Sequence, residues 1–484
     1  MNADPRQVAA ACVLGSFVGT QAPQWLIDSV RDGLGGVLLF AQNVVDDAQV
    51  AQLCRELRDA RADVVIAIDE EGGDVTRLDA ATGSSTPSPA AFGIVDDPAL
   101  TADAYADLGS RIRRLGIDLT LAPCADINSN PRNPIIGVRS FGTTAADVSR
   151  HVVAAVEGFQ RGGVAACAKH FPGHGDTSAD THREPAQVNS TAEELWQREL
   201  RPFAAAIEAG VDAILTAHVV AAAVDSDPAS LSAAWNGQLR KQMGFEGVII
   251  TDALDMEAVA EGRGIAGIAH ASVRALSAGA DLLCLGSNFD GPMTATVIDH
   301  VVDALVDGRL SLTSLERSRE RIVELHRRPS ARPPAAAAAA ENVARRAVVI
   351  DGAIPSGPFV VFECRPPGSM ASFNVAWGLA DDLRSRGWPI ALLTASDQFE
   401  SICLSELSAA PDLPVLVVVR DACLHPWQTK VIDCALRARR GSVVVVELGW
   451  PSLPRSPEFT TIVSHGAARS SALAVLDLLD EKES

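Results

Sequence analysis

Residues 164–182 read Val164-Ala165-Ala166-Cys167-Ala168-Lys169-His170-Phe171-Pro172-Gly173-His174-Gly175-Asp176-Thr177-Ser178-Ala179-Asp180-Thr181-His182. The first four residues are apolar. The rest carry three histidines, two aspartates and one lysine, broken by Pro172, Gly173 and Gly175. Proline lacks a donor and glycine is conformationally loose, so the second part cannot be helical. A short apolar run bounded by breakers reads as a buried strand. A titratable loop leaving a buried strand is where α/β enzymes put their chemistry.

The same unit recurs along the chain. Strands are predicted near Ala10–Leu14, Gly36–Phe40, Val64–Asp69, Leu119–Pro123, Ala165–His170, Ala213–His218, Val248–Asp252 and Asp281–Leu285. Helical periodicity fills Asp47–Ala60, Ala145–Arg161 and Ala192–Ala209, and Thr191 with Glu194 has the pattern of a capping box. Eight strands alternating with helices predict a TIM-type (β/α)8 barrel, with large insertions after the third and fourth strands. An open doubly wound sheet has similar spacing, but no GxGxxG follows the first strand, which disfavours its dinucleotide-binding form.

Arg327–Ala340 (RRPSARPPAAAAAA) marks a boundary, rich in proline and then alanine. The predicted division is a catalytic barrel over 1–328, a linker over 329–345 and a smaller C-terminal α/β sandwich over 346–484. In that second domain strands are predicted near Ala347–Ile350, Pro358–Phe362, Ile390–Thr394, Val415–Val419 and Ser442–Leu448, forming a parallel sheet. Helices are predicted at Val375–Ser385, His425–Ala438 and Ala468–Leu479.

A length of 484 residues suits two or three domains, and 47% apolar content suffices for their cores. A formal charge of −20 argues against nucleic acid and anionic membranes as partners. The nine cysteines form no CxxC pair, and Cys12, Cys124, Cys167 and Cys284 sit in apolar runs. That pattern suits a reducing compartment. The N-terminus has no basic stretch of the signal-peptide kind, and no apolar run approaches the length of a membrane span. The expected location is cytoplasmic.

Charged residues end the strands. The third runs into Asp69-Glu70-Glu71-Gly72-Gly73, with Arg77 shortly after. The loop after the fourth holds Asp126, Asn128, Asn130 and Arg139. The fifth ends in Lys169-His170, the sixth in His218 and the seventh in Asp252. In a barrel these ends share one face. A solvated charge explains any one of them, but not five successive strands.

Asp252 directly follows Val248-Ile249-Ile250-Thr251. A carboxylate there needs compensation or a chemical role. Either it is a nucleophile, or it caps the helix that follows. Asp180 and His182, two apart on an extended loop, can point the same way. A carboxylate beside an imidazole raises its pKa and fixes its tautomer, which prepares it for proton transfer near neutrality. The bland reading is a loop hydrogen bond. His170 and His174 have the spacing of HExxH ligands, but Phe171-Pro172-Gly173 excludes the helix that motif needs. His174 reads as a loop-shaping residue. A metal-dependent barrel hydrolase using His170, His182, His218 and Asp252 stays as an alternative.

Together KHFPGHGDTSADTH, IDEEGGDVTRL, NPIIGVRSFG, ILTAHV, GFEGVIITDALDMEAV and GGVLLFAQN resemble glycoside hydrolase family 3, in its β-N-acetylglucosaminidase branch. The motifs run in order through residues 33–290; the second domain resembles the family's C-terminal sandwich more weakly. The resemblance implies a retaining exo-β-N-acetylglucosaminidase that passes through a glycosyl-aspartate, with a role in peptidoglycan recycling. Asp252 would be the nucleophile and His182, oriented by Asp180, the acid/base. Asp69, Arg77, Arg139, Lys169 and His170 would bind the sugar. No metal and no organic cofactor is implied.

A neutral imidazole does not repel an anionic acceptor as a carboxylate does, so phosphorolysis of an N-acetylglucosaminide or glucoside is the open alternative. A catalytically silent sugar-binding barrel is the other. The expected partners are an oligosaccharide or glycoside substrate, with phosphate and a second copy of the chain as open options. Two departures from the branch stand out. Relatives have DQEGGRV where this chain has Glu70 and Asp74, which predicts a more negative rim. Relatives often have GDRSF where Val138 precedes Arg139.

Overall fold

The structure is a computed structural model that describes residues 4–177, 186–326, 338–368, 371–372, 375–395, 398–454 and 456–481. Eight parallel strands form the first sheet: β1 (Val13–Gly15), β2 (Gly36–Leu39), β3 (Val65–Ile68), β4 (Leu119–Thr120), β5 (Ala165–Phe171), β6 (Ala213–Thr216), β7 (Val248–Thr251) and β8 (Leu283–Cys284). Each pairs with its successor in sequence from β1 to β7. β8 pairs with β1, and a bridge from Ile250 to Leu282 joins it to β7. The ring is therefore the (β/α)8 barrel that the sequence predicts.

Alternation along these strands sends one set of side chains inward. Leu38, Val65, Ala67, Leu119, Cys167, Leu215, Val248 and Ile250 pack with Ile322 and Leu325 of the helix Leu312–His326. The barrel is thus a filled core and not a pore.

An aspartate stands just before each of three strands and accepts a backbone N–H from the strand before it. Asp118 takes Ile66, Asp212 takes Ala166 and Asp281 takes Ile249. Asp118 is further held by Arg58, Arg113 and His326, and Asp281 by Arg240, Arg321 and Ser318. Acids at the amino ends thus satisfy strand N–H groups, while the carboxyl ends carry the chemistry in folds of this kind.

The described chain divides into two compact units. The first is Met1–Glu71, Thr101–Ile136 and Thr143–Ala336; the second is Gly72–Leu100, Gly137–Gly142 and Ala337–Ser484. The segments after β3 and β4 thus contribute residues 72–100 and 137–142 to the second unit.

The second unit contains a six-stranded sheet: β9 (Val349–Asp351), β10 (Val360–Cys364), β11 (Ile390–Leu393), β12 (Val415–Val419), β13 (Val443–Glu447) and β14 (Thr460–Val463). Its order is β9-β14-β13-β12-β10-β11. Odd and even residues of β10, β12 and β13 separate into two cores. Val361, Leu416, Val418 and Val444 meet the helices Ala380–Ser385 and Arg469–Asp480; Phe362, Val417 and Val445 meet Phe399–Ala409 and Trp427–Ala438. Period-two alternation between two apolar faces is what a sheet covered on both sides requires.

Several predicted elements change. The sheet is not wholly parallel, because β9 runs antiparallel to β14. β14 (TTIV) and the helix Phe399–Ala409 have no counterpart in the sequence prediction. Ala10 and Ala11 end a helix, Pro5–Ala11, capped by Asp4 with proline in its first turn, instead of starting β1. The helix predicted over Ala192–Ala209 is two, Ala192–Gln197 and Arg201–Glu208, since Pro202 begins a new first turn. The capping box of Thr191 and Glu194 forms. Residues 338–345 of the predicted linker are helical, within Ala338–Arg346, with Val343 and Ala344 buried.

Candidate active site

The barrel mouth is built from strand ends. Lys169, near the end of β5, points its ammonium at two carboxylates that follow β3: Nζ lies 2.5 Å from Asp69 Oδ1 and 2.6 Å from Glu71 Oε1. Lys169 and Glu71 are buried, whereas the Asp69 side chain keeps 18% of its surface. One ammonium thus bridges two carboxylates.

His170 follows in the same strand, after a cis peptide, and a second cis peptide joins Phe171 to Pro172. Its Nδ1 lies 2.6 Å from Asp126 Oδ2. A carboxylate only accepts, so Nδ1 carries the proton and the ring is held in one orientation. Asp126 also accepts the N–H of His170 at 3.2 Å, the N–H of His174 at 2.6 Å and the thiol of Cys124 at 3.1 Å. Burial works to raise the Asp126 carboxyl. The imidazole of His170, with its hydrogen bond, and the backbone N–H of His174 outweigh it and hold the acid well below the usual carboxylate range.

His174 is buried in the bend. Thr177 donates its hydroxyl to the His174 carbonyl at 2.9 Å, so His174 Nδ1, 2.6 Å from that hydroxyl, is the donor in their second bond. Burial lowers this imidazole to about 4 against the pull of Asp126, so it is neutral near pH 7. Asn133 clamps the bend by donating to the carbonyls of His174 and Thr177 at 2.8 and 3.1 Å. A side chain at Gly175 would collide with the Ile127 carbonyl, 1.7 Å away, which is why glycine stands there. His174 therefore shapes the loop, as the sequence predicts.

Asp180 and His182 lie outside the described residues. The chain on either side of them is fixed. Thr177 is bonded to Asn130 and Asn133, and Ala186–Gln187 pairs with Val219–Val220.

Asp252 directly follows β7. Its N–H donates to the Thr216 carbonyl at 2.9 Å, and its Oδ1 accepts the Ala253 N–H at 2.8 Å. His218 holds the next residue, because its Nε2 donates to the Ala253 carbonyl at 2.9 Å while Ser230 Oγ lies 2.7 Å from Nδ1. Both ring nitrogens are engaged, which removes His218 from the alternative set of metal ligands. Cys124, Asp126 and His170 do converge to ligand distance, but the proton-sharing bonds just described account for that contact. Cys284 is the last residue of β8. Burial, then the charges of Asp252, Asp255 and Asp69, push its thiol up.

The structure thus brings together Asp69, Lys169 and His170, with Asp252 at a strand end of the same mouth. Arg77 and Arg139 belong to the second unit. There Arg77 Nη1 donates to the Ala371 carbonyl at 3.0 Å, and Arg139 is buried at the end of a 3₁₀ turn, Gly137–Arg139. The predicted negative rim is overturned at its two sources: Glu70 is fully buried, and Asp74 is buried and paired with Arg420. Sequence reasoning recorded Asp126 and Glu71 only as strand-end charges; the structure shows them holding His170 and Lys169. Both stand within a few residues of a strand end, the one available signal.

A closed parallel barrel with carboxylates, lysine and histidines gathered at the carboxyl ends of its strands defines a (β/α)8 enzyme. The chain belongs to glycosyl hydrolase family 3: residues 21–325 match the family's N terminal domain. It is 32% identical over 324 residues to Beta-hexosaminidase A of Pseudoalteromonas piscicida, covering 61% of this chain and 53% of that one. The chain therefore spans about half the length of that relative. It is 38% identical over 278 residues to a Beta-hexosaminidase of Xanthomonas oryzae pv. oryzae, covering 56% of this chain and 81% of the relative. Its structure is similar to that of a glycoside hydrolase family 3 beta-N-acetylglucosaminidase from Paenibacillus sp. str. FPU-7. The TM-score is 0.84 and the identity 31%, over 99% of this chain and 97% of that one. Among the described residues no helix is long and apolar enough to cross a membrane.

Proposed function

We propose that the protein is a retaining exo-β-N-acetylglucosaminidase acting on terminal β-linked N-acetylglucosamine. Asp252 is the nucleophile and forms the glycosyl-aspartate. His182, oriented by Asp180, protonates the leaving oxygen and then deprotonates the acceptor. Asp69, Lys169 and His170 hold the sugar, and the family resemblance assigns Arg77 and Arg139 the same task.

The observation that carries this reading is the clamped carboxylate of Asp252 at the end of β7, in the mouth that also holds Asp69, Lys169 and His170. A fixed carboxylate stabilises the oxocarbenium-like transition state as charge develops at the anomeric carbon, and then bonds to it. Likeness to the Paenibacillus enzyme over nearly the full length of both chains supports the choice of N-acetylglucosamine. Nine free cysteines suit a reducing cytoplasm, where fragments of cell-wall saccharide are a fitting substrate pool.

Product analysis tests this. An aryl N-acetyl-β-glucosaminide should release N-acetylglucosamine whose first-formed anomer is β, with or without inorganic phosphate. A first-formed α anomer would overturn retention, and sugar 1-phosphate as the main product would replace hydrolysis by phosphorolysis.

A further inference from the structure

The backbone around Asp252 is held residue by residue. The Asp252 N–H donates to the Thr216 carbonyl of β6 at 2.9 Å, and the Leu254 N–H donates to the Cys284 carbonyl of β8 at 2.9 Å. Ala253 lies between them. Its N–H donates to Asp252 Oδ1 at 2.8 Å, so the place of Ala253 sets the direction of the carboxylate. Its carbonyl accepts from the Met256 N–H at 3.1 Å and from His218 Nε2 at 2.9 Å. Neighbouring strands thus hold the two outer residues, and a side chain holds the middle one.

That side chain closes the ILTAHV stretch, two residues beyond β6, and is fully buried. A carbonyl only accepts, so His218 Nε2 carries the proton; in the neutral ring Nδ1 then accepts the Ser230 hydroxyl at 2.7 Å. Ser230 is buried in a 3₁₀ turn, Ala229–Leu231, and its N–H donates to the Ala217 carbonyl at 3.0 Å. The Ala217 N–H donates in turn to the Phe171 carbonyl of β5 at 2.8 Å. The ring is therefore fixed at both nitrogens by parts of the barrel unit alone.

We propose that His218, set by Ser230, is a positioning residue for Asp252: it fixes Ala253, and Ala253 fixes the carboxylate. The proposal rests on the reading above, in which Asp252 attacks the anomeric carbon. Attack depends on alignment, and a misplacement of about 1 Å can cost about 100-fold in rate. Loss of the His218 bond should therefore slow formation of the glycosyl-aspartate while sugar binding stays as it is.

The test is kcat/KM toward an aryl N-acetyl-β-glucosaminide, and the inhibition constant of N-acetylglucosamine, for wild type, His218→Leu, His218→Gln and Ser230→Ala, with a thermal melt of each. His218→Leu should lower kcat/KM by about 10- to 100-fold while the inhibition constant stays within about twofold. His218→Gln, whose amide N–H can stand in for Nε2–H, should recover about threefold or more of that loss. If His218→Leu does not fold, Ser230→Ala decides, with an expected loss of about threefold or more at an unchanged inhibition constant. A folded variant with wild-type kcat/KM, a loss matched by an equal rise in the inhibition constant, or His218→Gln no better than His218→Leu overturns the positioning role. Wild-type turnover by Asp252→Ala would instead sink the reading of Asp252 as nucleophile, and this one with it, whatever the His218 variants do.

Discussion

The Asp126 carboxylate and the His170 imidazole meet at 2.6 Å, with the acid fully buried and the ring nearly so. The same carboxylate takes the backbone N–H of His174, so one acid sets both the ring and the bend after it. Asp126→Asn puts an amide N–H against donors. A buried donor without its acceptor costs about 1–3 kcal/mol, so kcat/KM should fall by roughly 5- to 150-fold. Steady-state kinetics on a folded variant checks this; an unchanged kcat/KM would make the pair purely structural.

Asp252→Ala should abolish turnover of an aryl N-acetylglucosaminide, and substantial residual rate would remove Asp252 as nucleophile. His182→Ala should slow substrates with poor leaving groups far more than activated ones, since only the former need a proton. A leaving-group series measures this, and equal slowing across it would remove the acid role.

Glu199 predicts a pH effect on stability. Burial raises its carboxyl to about 7, against Arg198 at 2.6 Å, and its Oε2 has no hydrogen-bond partner among the described residues. Between its unfolded value near 4.5 and about 7 the folded protein binds the proton and the unfolded chain does not. That contribution is present in full below the unfolded value and lost as pH rises through about 7. It amounts at most to about 3 kcal/mol. Glu199→Gln should flatten the fall in Tm between pH 5 and pH 8. A variant that tracks wild type across that range would refute the assignment.

Asp281 predicts a stability effect without a kinetic one. It joins Arg240, Arg321, Ser318 and the Ile249 N–H at the amino end of the barrel. Asp281→Ala leaves two guanidiniums without that carboxylate and should cost about 3–5 kcal/mol in urea unfolding. KM should not change, because the site lies at the opposite end of the strands.

Much of the barrel was legible because its strands are short apolar runs, five of them followed by titratable residues. β7 and Asp252 are the clearest case: the pattern that buries Val248–Thr251 also leaves the next carboxylate at the mouth. β14 was not legible. Thr460-Thr461-Ile462-Val463 has too little apolar character to separate strand from loop, and its place comes from pairing with β13 and β9. Asp126 was visible as a loop acid but not as the organiser of His170, 44 residues on, since no local spacing encodes that contact.

Periodicity, breakers and strand-end charges determined the eight-stranded barrel, the second α/β domain and the face that carries the chemistry, because burial and backbone hydrogen bonding act on neighbours in sequence. Tertiary structure alone decided where charges are spent. Asp74 looked like an added charge on the rim. Its partner Arg420 stands 346 residues away, and only folding brings the two together and takes that charge out of water.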